Sequence, residues 1–380
     1  MTRTKRTFIC FWVIVPLLLA FSCTANAEDE LYSQSAEKSG ANKIFSYLPD
    51  ETRSSLDDMG INSLDNVTTG LDSKSFFGAI MSIASKAFLS EGVSAFSLFG
   101  IVLLCAAANS IRLSSCRQGS AEIIDIASTA CICACIATPL MSLISSVSNV
   151  IISSSNFMLM YVPVMAGLMI SSGQTVTAGS YYSMMMAASQ GITQLSSKIM
   201  IPFLNMYTAM SVVSSISVGL SLKGICDIIS RVTRWVLCFG MSIFVSLLTM
   251  QGIIGTSADT ATSRAVRFAV RSFVPMVGST LSEAYRSVQG CVNLLKSGVG
   301  VVAIIGTGFI YLPSVFKCIY WMFILSLVSA TADIFSLNNV SSLIRSCSRV
   351  LSTLIAILLC CMAVFIISTA LILIVGGGSA

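Results

Sequence analysis

Three carboxylates, Asp125, Asp227 and Asp333, lie in or beside long apolar runs of this sequence. A charge at membrane depth is expensive, so each is a candidate for ion coupling or proton relay. All three fall near the ends of their runs, where water or a basic neighbour can satisfy them. An interfacial structural role is therefore the competing reading, and the favoured one. Cys131, Cys133 and Cys135 form a C-x-C-x-C run, but at 100° per residue only the first and last share a helix face. The chain contains no histidine, which removes the commonest general base and the favourite zinc ligand. No G-x-x-x-x-G-K-[ST] loop is present to cradle phosphates, and no G-x-S-x-G elbow to present a nucleophile. Neither an enzyme nor a metal or cofactor site is expected, and nothing points to nucleic acid.

The elements that carry these residues belong to a membrane. Of 380 residues, 55% are hydrophobic and 10% charged, with a mean hydropathy of +0.86. A soluble domain carries about 25% charged residues, so a water-soluble globular enzyme is excluded. The composition predicts an all-α, polytopic helical membrane protein. Arg3, Lys5 and Arg6 precede an apolar run from Phe8 to Phe21 and the triplet Ala25-Asn26-Ala27. That order is a secretory signal peptide, residues 1–27, with Ala25 and Ala27 at the cleavage site. An uncleaved first anchor is the alternative.

Residues 28–75 form a short acidic segment, which the signal peptide places outside the cytoplasm. Between Glu28 and Ser73, ten acids face three bases, whereas residues 74–380 hold 16 Lys and Arg against 7 Asp and Glu. No cysteine lies between Glu28 and Gly92, so this segment has no disulfide framework. Pro49-Asp50 can start a helix there that Gly60 ends. So few residues bury little core alone, and a partner or the membrane surface is expected to support them. Residues 76–90 are amphipathic, with Phe76, Ile80, Ile83 and Ala87 on one face, and read as an interfacial helix.

The multi-span domain covers 91–375, with about seven to nine transmembrane or re-entrant helices. Its first span, Val93 to Ile111, runs directly into Arg112 and Arg117, as a basic cytoplasmic loop requires. Further runs are 123–144, 150–170, 199–220, 235–254, 299–312, 318–335 and 350–375. The stretch 176–197 is weakly apolar and reads as a poor span, a re-entrant segment or an interfacial helix. Residues 235–254 have basic clusters on both flanks, Arg231 with Arg234 and Arg264 with Arg267 and Arg271. Either the second cluster is translocated or a neighbouring segment does not cross. Glycines 298, 300, 306 and 308 suit close helix packing. At an offset of 115 positions, Ser221-Leu222 to Arg234 weakly resembles Ser336-Leu337 to Arg349, which is either an internal repeat or two similar helix entries.

The most distinctive stretch is 258–296, read as an amphipathic re-entrant or interfacial element. Arg264, Arg267 and Arg271 share one face, and Pro275 and Gly278 break the helix that carries them. Here the chain resembles the stage III sporulation protein AE family. The match rests on Arg264-Ala265, Arg267-Phe268, Phe273-Val274-Pro275-x-Val277-Gly278 and Leu281-Ser282-Glu283-Ala284, followed by Leu294-Leu295-Lys296. Arg264, Arg267, Phe273, Pro275, Gly278 and Glu283 are accordingly the candidate functional motif.

The resemblance implies a multi-pass protein of the mother-cell membrane surrounding the forespore. It implies membership of a channel or secretion-like complex with the other stage III A sporulation proteins, a separate ATPase and a forespore-membrane partner, sustaining forespore development and late gene expression. The alternative is a secondary permease that moves a small solute across the lipid bilayer.

Overall fold

A computed structural model describes residues 41–61, 73–115, 118–216, 223–273, 278–335 and 337–377. The proposed signal peptide, with Ala25 and Ala27, and Pro275 of the motif lie outside them. The described residues are helical almost throughout, with no strand among them. A 3-10 helix, Ala41–Tyr47, and helix α1, Asp50–Asp57, precede seven longer helices. These are α2 Ser73–Ser115, α3 Gln118–Ser171, α4 Thr175–Leu195, α5 Ile201–Ile216, α6 Lys223–Phe273, α7 Gly278–Ile334 and α8 Asn338–Gly377. Five of them, α2, α3, α6, α7 and α8, are long and apolar enough to cross a membrane. The chain is an all-α polytopic membrane protein.

Several runs that look separate in sequence are single helices. Runs 123–144 and 150–170 both lie in α3, and 299–312 and 318–335 both lie in α7. Pro313 does not break α7, nor Pro139 and Pro163 break α3. Inside a helical bundle, neighbouring side chains and local adjustment absorb the lost N–H bond. Pro202 has a visible local effect: a wider π turn, Ser196–Met200, lies just before it and joins α4 to α5. Residues 76–90 and 93–111 are likewise one helix, α2. At 1.5 Å per residue, α3 and α7 are each about 80 Å long, far more than the roughly 30 Å of a bilayer's hydrocarbon core.

Side-chain contacts give the direction of each helix. Ser146 meets Ser314 and Phe157 reaches Gly306, so α3 and α7 are antiparallel. Phe76 packs on Phe309 and Phe88 on Tyr320, so α2 runs parallel to α7. Asp227 meets Arg349, Ser230 meets Thr353 and Met241 meets Cys360, so α6 runs parallel to α8. Asp227, Arg234, Asp333, Arg345 and Arg349 thus gather at one end of the bundle, hereafter the basic end. The turn between α3 and α4 lies at the opposite, distal end.

The α7–α8 hairpin is the centre of the core, with α3 and α2 against α7, and α6 and α5 against α8. Of the most apolar stretch of α7, 67% is buried, against 6% for α6. α6 therefore lies on the outside, with Ile228, Val232, Trp235, Phe239, Leu247 and Met250 exposed along it. The described residues 41–61 of the acidic segment pack against the bundle. Ala41, Ile44, Phe45, Leu48, Leu56, Met59 and Ile61 are buried, packed on α3 and α7. A Cβ on Gly306 would lie 2.8 Å from Leu48 Cδ2, so the glycine makes room for this contact. Gly300 does the same for Leu373, where a Cβ would lie 2.6 Å from Cδ2, while Gly308 faces open space.

Candidate functional site

The charged groups fall into three sets at different heights in the bundle. At the basic end, Asp227 on α6 pairs with Arg349 on α8, and Asp333 at the end of α7 pairs with Arg345 on α8. All four side chains are substantially exposed, and exposed pairs contribute little stability. Asp227 and Asp333 therefore form exposed ion pairs near the start of α6 and the end of α7. Asp125 lies in α3, with its side chain outside the described set.

The second set lies near the middle of α2 and α7. Glu91 Oε2 accepts a hydrogen bond from Trp321 Nε1 at 3.1 Å, and its Oε1 lies 3.8 Å from Lys317 Nζ. Glu91 is central in the apolar stretch Lys74–Ala107, and Lys317 lies within Val292–Ile334. Neither charge is fully covered, with side-chain exposures of 23% and 32%. Read from sequence, Glu91 stood at the boundary between an interfacial helix and the first span. The continuity of α2 is what brings it to mid-helix.

The third set, at the distal end, is the most completely buried. α3 ends in Gly173, whose φ of 85° suits the left-handed residue that terminates a helix. The N–H groups of Gly173 and Gln174 then close onto Ile170 and Met169 carbonyls at 2.9 Å each. α4 begins at once, and Gln174 gives it no side-chain cap. The missing cap comes from α6. Asp259, 4% exposed, accepts Val176 N–H on Oδ1 and Thr177 N–H on Oδ2, both at 2.9 Å. A carboxylate at a helix N-terminus satisfies donors the helix cannot satisfy itself and opposes its dipole.

α7 holds the same turn from the other side. Lys296 Nζ, 2% exposed, donates to Gln174 Oε1 at 3.0 Å, and Gln289 Nε2 donates to Ser172 O at 2.7 Å. Close backbone approach makes this joint possible. A Cβ on Gly255 would lie 2.8 Å from Thr177 Oγ1 and 3.0 Å from Thr177 Cα, so α6 can touch α4 only through a glycine.

Asp259 and Lys296, which hold the turn, lie near the two ends of the stretch 258–296 that carries the sequence motif. Arg264 is exposed on α6, a little over one turn beyond Asp259. Arg267 and Phe273 lie in α6, and Gly278 and Glu283 in α7, with their side chains outside the described set. α6 ends at Phe273 and α7 opens at Gly278, on either side of Pro275. Among the described residues the buried charges are Asp259 and Lys296, while Arg264 of the motif is exposed. No local signal marked the joint, because Ser171, Ser172 and Thr175 each offer an ordinary cap for a helix starting here. Among the described residues no group of three or more potential metal ligands occurs.

The comparisons with known proteins agree with the resemblance at this stretch. A 161-residue part of the chain is 22% identical to stage III sporulation protein AE of Bacillus subtilis (strain 168). That match takes in 42% of this chain and 40% of the relative, so it spans less than half of the relative's length. No solved structure matches. The model of the family described as "Stage III sporulation protein AE" matches residues 56–376, from α1 to the last turns of α8 and through every long helix between them, and the chain belongs to that family.

Proposed function

We propose that this chain is a membrane-embedded subunit of a sporulation channel or secretion-like complex linking mother cell and forespore. It resides in the mother-cell membrane around the forespore and supports forespore development and late gene expression. A sporulation role follows from the family name. The observation that carries the reading is the family match over residues 56–376, which takes in all five helices able to span a membrane. The chain acts by assembly and not as an enzyme, with other stage III sporulation proteins as partners and a separate ATPase supplying energy.

The test is purification from sporulating cells in mild detergent. The expected result is a complex with other stage III sporulation proteins, including an ATPase and a forespore-membrane protein. A chain that purifies alone and moves a solute by itself in liposomes refutes assembly and establishes the permease reading.

A further inference from the structure

Exposed apolar and exposed charged side chains lie at the same heights on opposite sides of the bundle. Contacts along α7 fix the height of each helix. Phe88 of α2 stands beside Tyr320, and Leu373 of α8 beside Gly300. Met241 beside Cys360 places α6 on the same scale. At the basic end the α6–α8 side carries exposed Asp227, Arg231, Arg234 and Arg345. At that height the α2 side shows Val93 and Phe96, 82% and 81% exposed, within the uncharged run 92–107.

Toward the distal end the two sides exchange character. α6 turns Phe239, Ile243, Leu247 and Met250 outward, within the uncharged run 235–258. Level with that run, residues 41–61 pack through Leu48 against Gly306. Their outward side is charged, with Lys43, Asp50, Glu51, Arg53, Asp57 and Asp58 all exposed. An upright bundle cannot present this surface to a bilayer. Either uncharged run, placed at the bilayer centre, would bring charged groups on the other side to the same depth, where they are costly.

Inclination removes the conflict. Leu247 stands about level with Gly306 and Phe96 with Val328, which lie about 33 Å apart along α7 at 1.5 Å per residue. α2 packs on α7 and α6 on α8, so the two outer helices are two to three helix spacings apart, about 20 to 30 Å. Bringing both runs to one depth takes a tilt of about 55°. The length of α7 points to the same angle. Its apolar stretch Val292–Ile334 has 43 residues and is about 64 Å long. At about 55° it crosses about 37 Å, between the roughly 30 Å of a hydrocarbon core and the roughly 40 to 45 Å that includes headgroups. Tilting is the usual accommodation of a helix longer than the bilayer is thick.

We infer that the bundle lies in the membrane inclined at about 55° to the normal, and that its lipid-binding surface is a diagonal belt. The belt runs from Val93, Phe96 and Leu104 of α2 to Phe239, Leu247 and Met250 of α6, and its partner is phospholipid hydrocarbon. The arginines of the basic end then reach the headgroups of one leaflet, and residues 41–61 lie along the other. An inclined chain can act alone or in a complex, so the assembly reading does not depend on the tilt.

The test uses membranes from sporulating cells, doped with a phosphatidylcholine that carries a diazirine at the end of one acyl chain. On illumination the carbene marks groups near the bilayer centre, and mass spectrometry of the full chain locates the marks. Val93 and Phe96 of α2 and Ile243 and Leu247 of α6 are expected to be labelled within about threefold of one another, because a belt at one depth lies inside the same roughly 30 Å core. A difference of about tenfold or more between the two helices would overturn the inclined placement, since groups about 33 Å apart in depth cannot share the centre of that core. A protein covering the α2 face would give that result. Polarised infrared dichroism of the purified full chain in oriented phosphatidylcholine bilayers measures the mean helix tilt separately. A value near 55° with ordered acyl chains is expected, and one below about 40°, within the ordinary range, would overturn it.

Discussion

Replacing Asp259 by alanine removes both oxygens that accept the Val176 and Thr177 N–H groups at the start of α4. Hydrogen bonds to a charged group contribute about 1.5 to 3 kcal/mol each, and an ordinary cap about 1 kcal/mol. Asp259 is 4% exposed, so water does not replace what is lost. Taking the lower figure for each bond, Asp259→Ala should destabilise the protein by about 3 kcal/mol, a factor of more than a hundred in the folding equilibrium. Asp259→Asn keeps the shape and one acceptor oxygen but turns an NH2 toward the second donor, so about half to two thirds of that loss is expected. The measurement is SDS denaturation of the purified protein in detergent, followed by circular dichroism. An alanine variant within about 0.5 kcal/mol of the parent would refute the claim that Asp259 holds the start of α4.

Gly255→Ala should destabilise by about 1 to 3 kcal/mol, because the new Cβ meets the Thr177 backbone at 3.0 Å. Gly240→Ala on the same helix faces open space and should stabilise by up to about 1 kcal/mol; the same denaturation assay compares them. Glu91→Gln or Lys317→Gln alone should lower the amount of folded protein in membranes, and the exchange Glu91→Lys with Lys317→Glu should restore part of it. A double-mutant cycle with no coupling would show that the pair does not interact. Asp227→Asn and Asp333→Asn should each change stability by less than about 1 kcal/mol and leave spore formation intact. Loss of sporulation with normal expression would return them to the functional residues.

Fold class was legible because apolar runs and their basic flanks report a bilayer directly. The joining of those runs into α3 and α7 was not. Pro313, between 299–312 and 318–335, signals a break in a soluble chain, whereas a bundle carries a helix through it, and the polar stretch Ser145 to Asn149 between 123–144 and 150–170 leaves α3 uninterrupted. The pairing of Asp227 and Asp333 with arginines follows the reading of carboxylates near helix ends. Asp259 stayed hidden because its partners are backbone N–H groups, which leave no side-chain signature. Lys296 was noticed only as the end of a motif, since its contact with Gln174 joins helices far apart in sequence.

The borrowed cap of α4 also sets an order in time. Val176 and Thr177 emerge from the ribosome well before Asp259, which follows Thr177 by 82 residues. At about 5 to 20 residues per second, that interval is about 4 to 16 s. Lys296 follows Gln174 by 122 residues and arrives later still. Through this interval the first hairpin has a polar turn and no protein partner for it, so the turn must stay at the membrane surface, among water and headgroups. α6 then closes over it as it enters. The distal joint therefore forms only after α6 and the start of α7 are made, and a chain halted before Asp259 presents a hairpin whose turn lacks its cap.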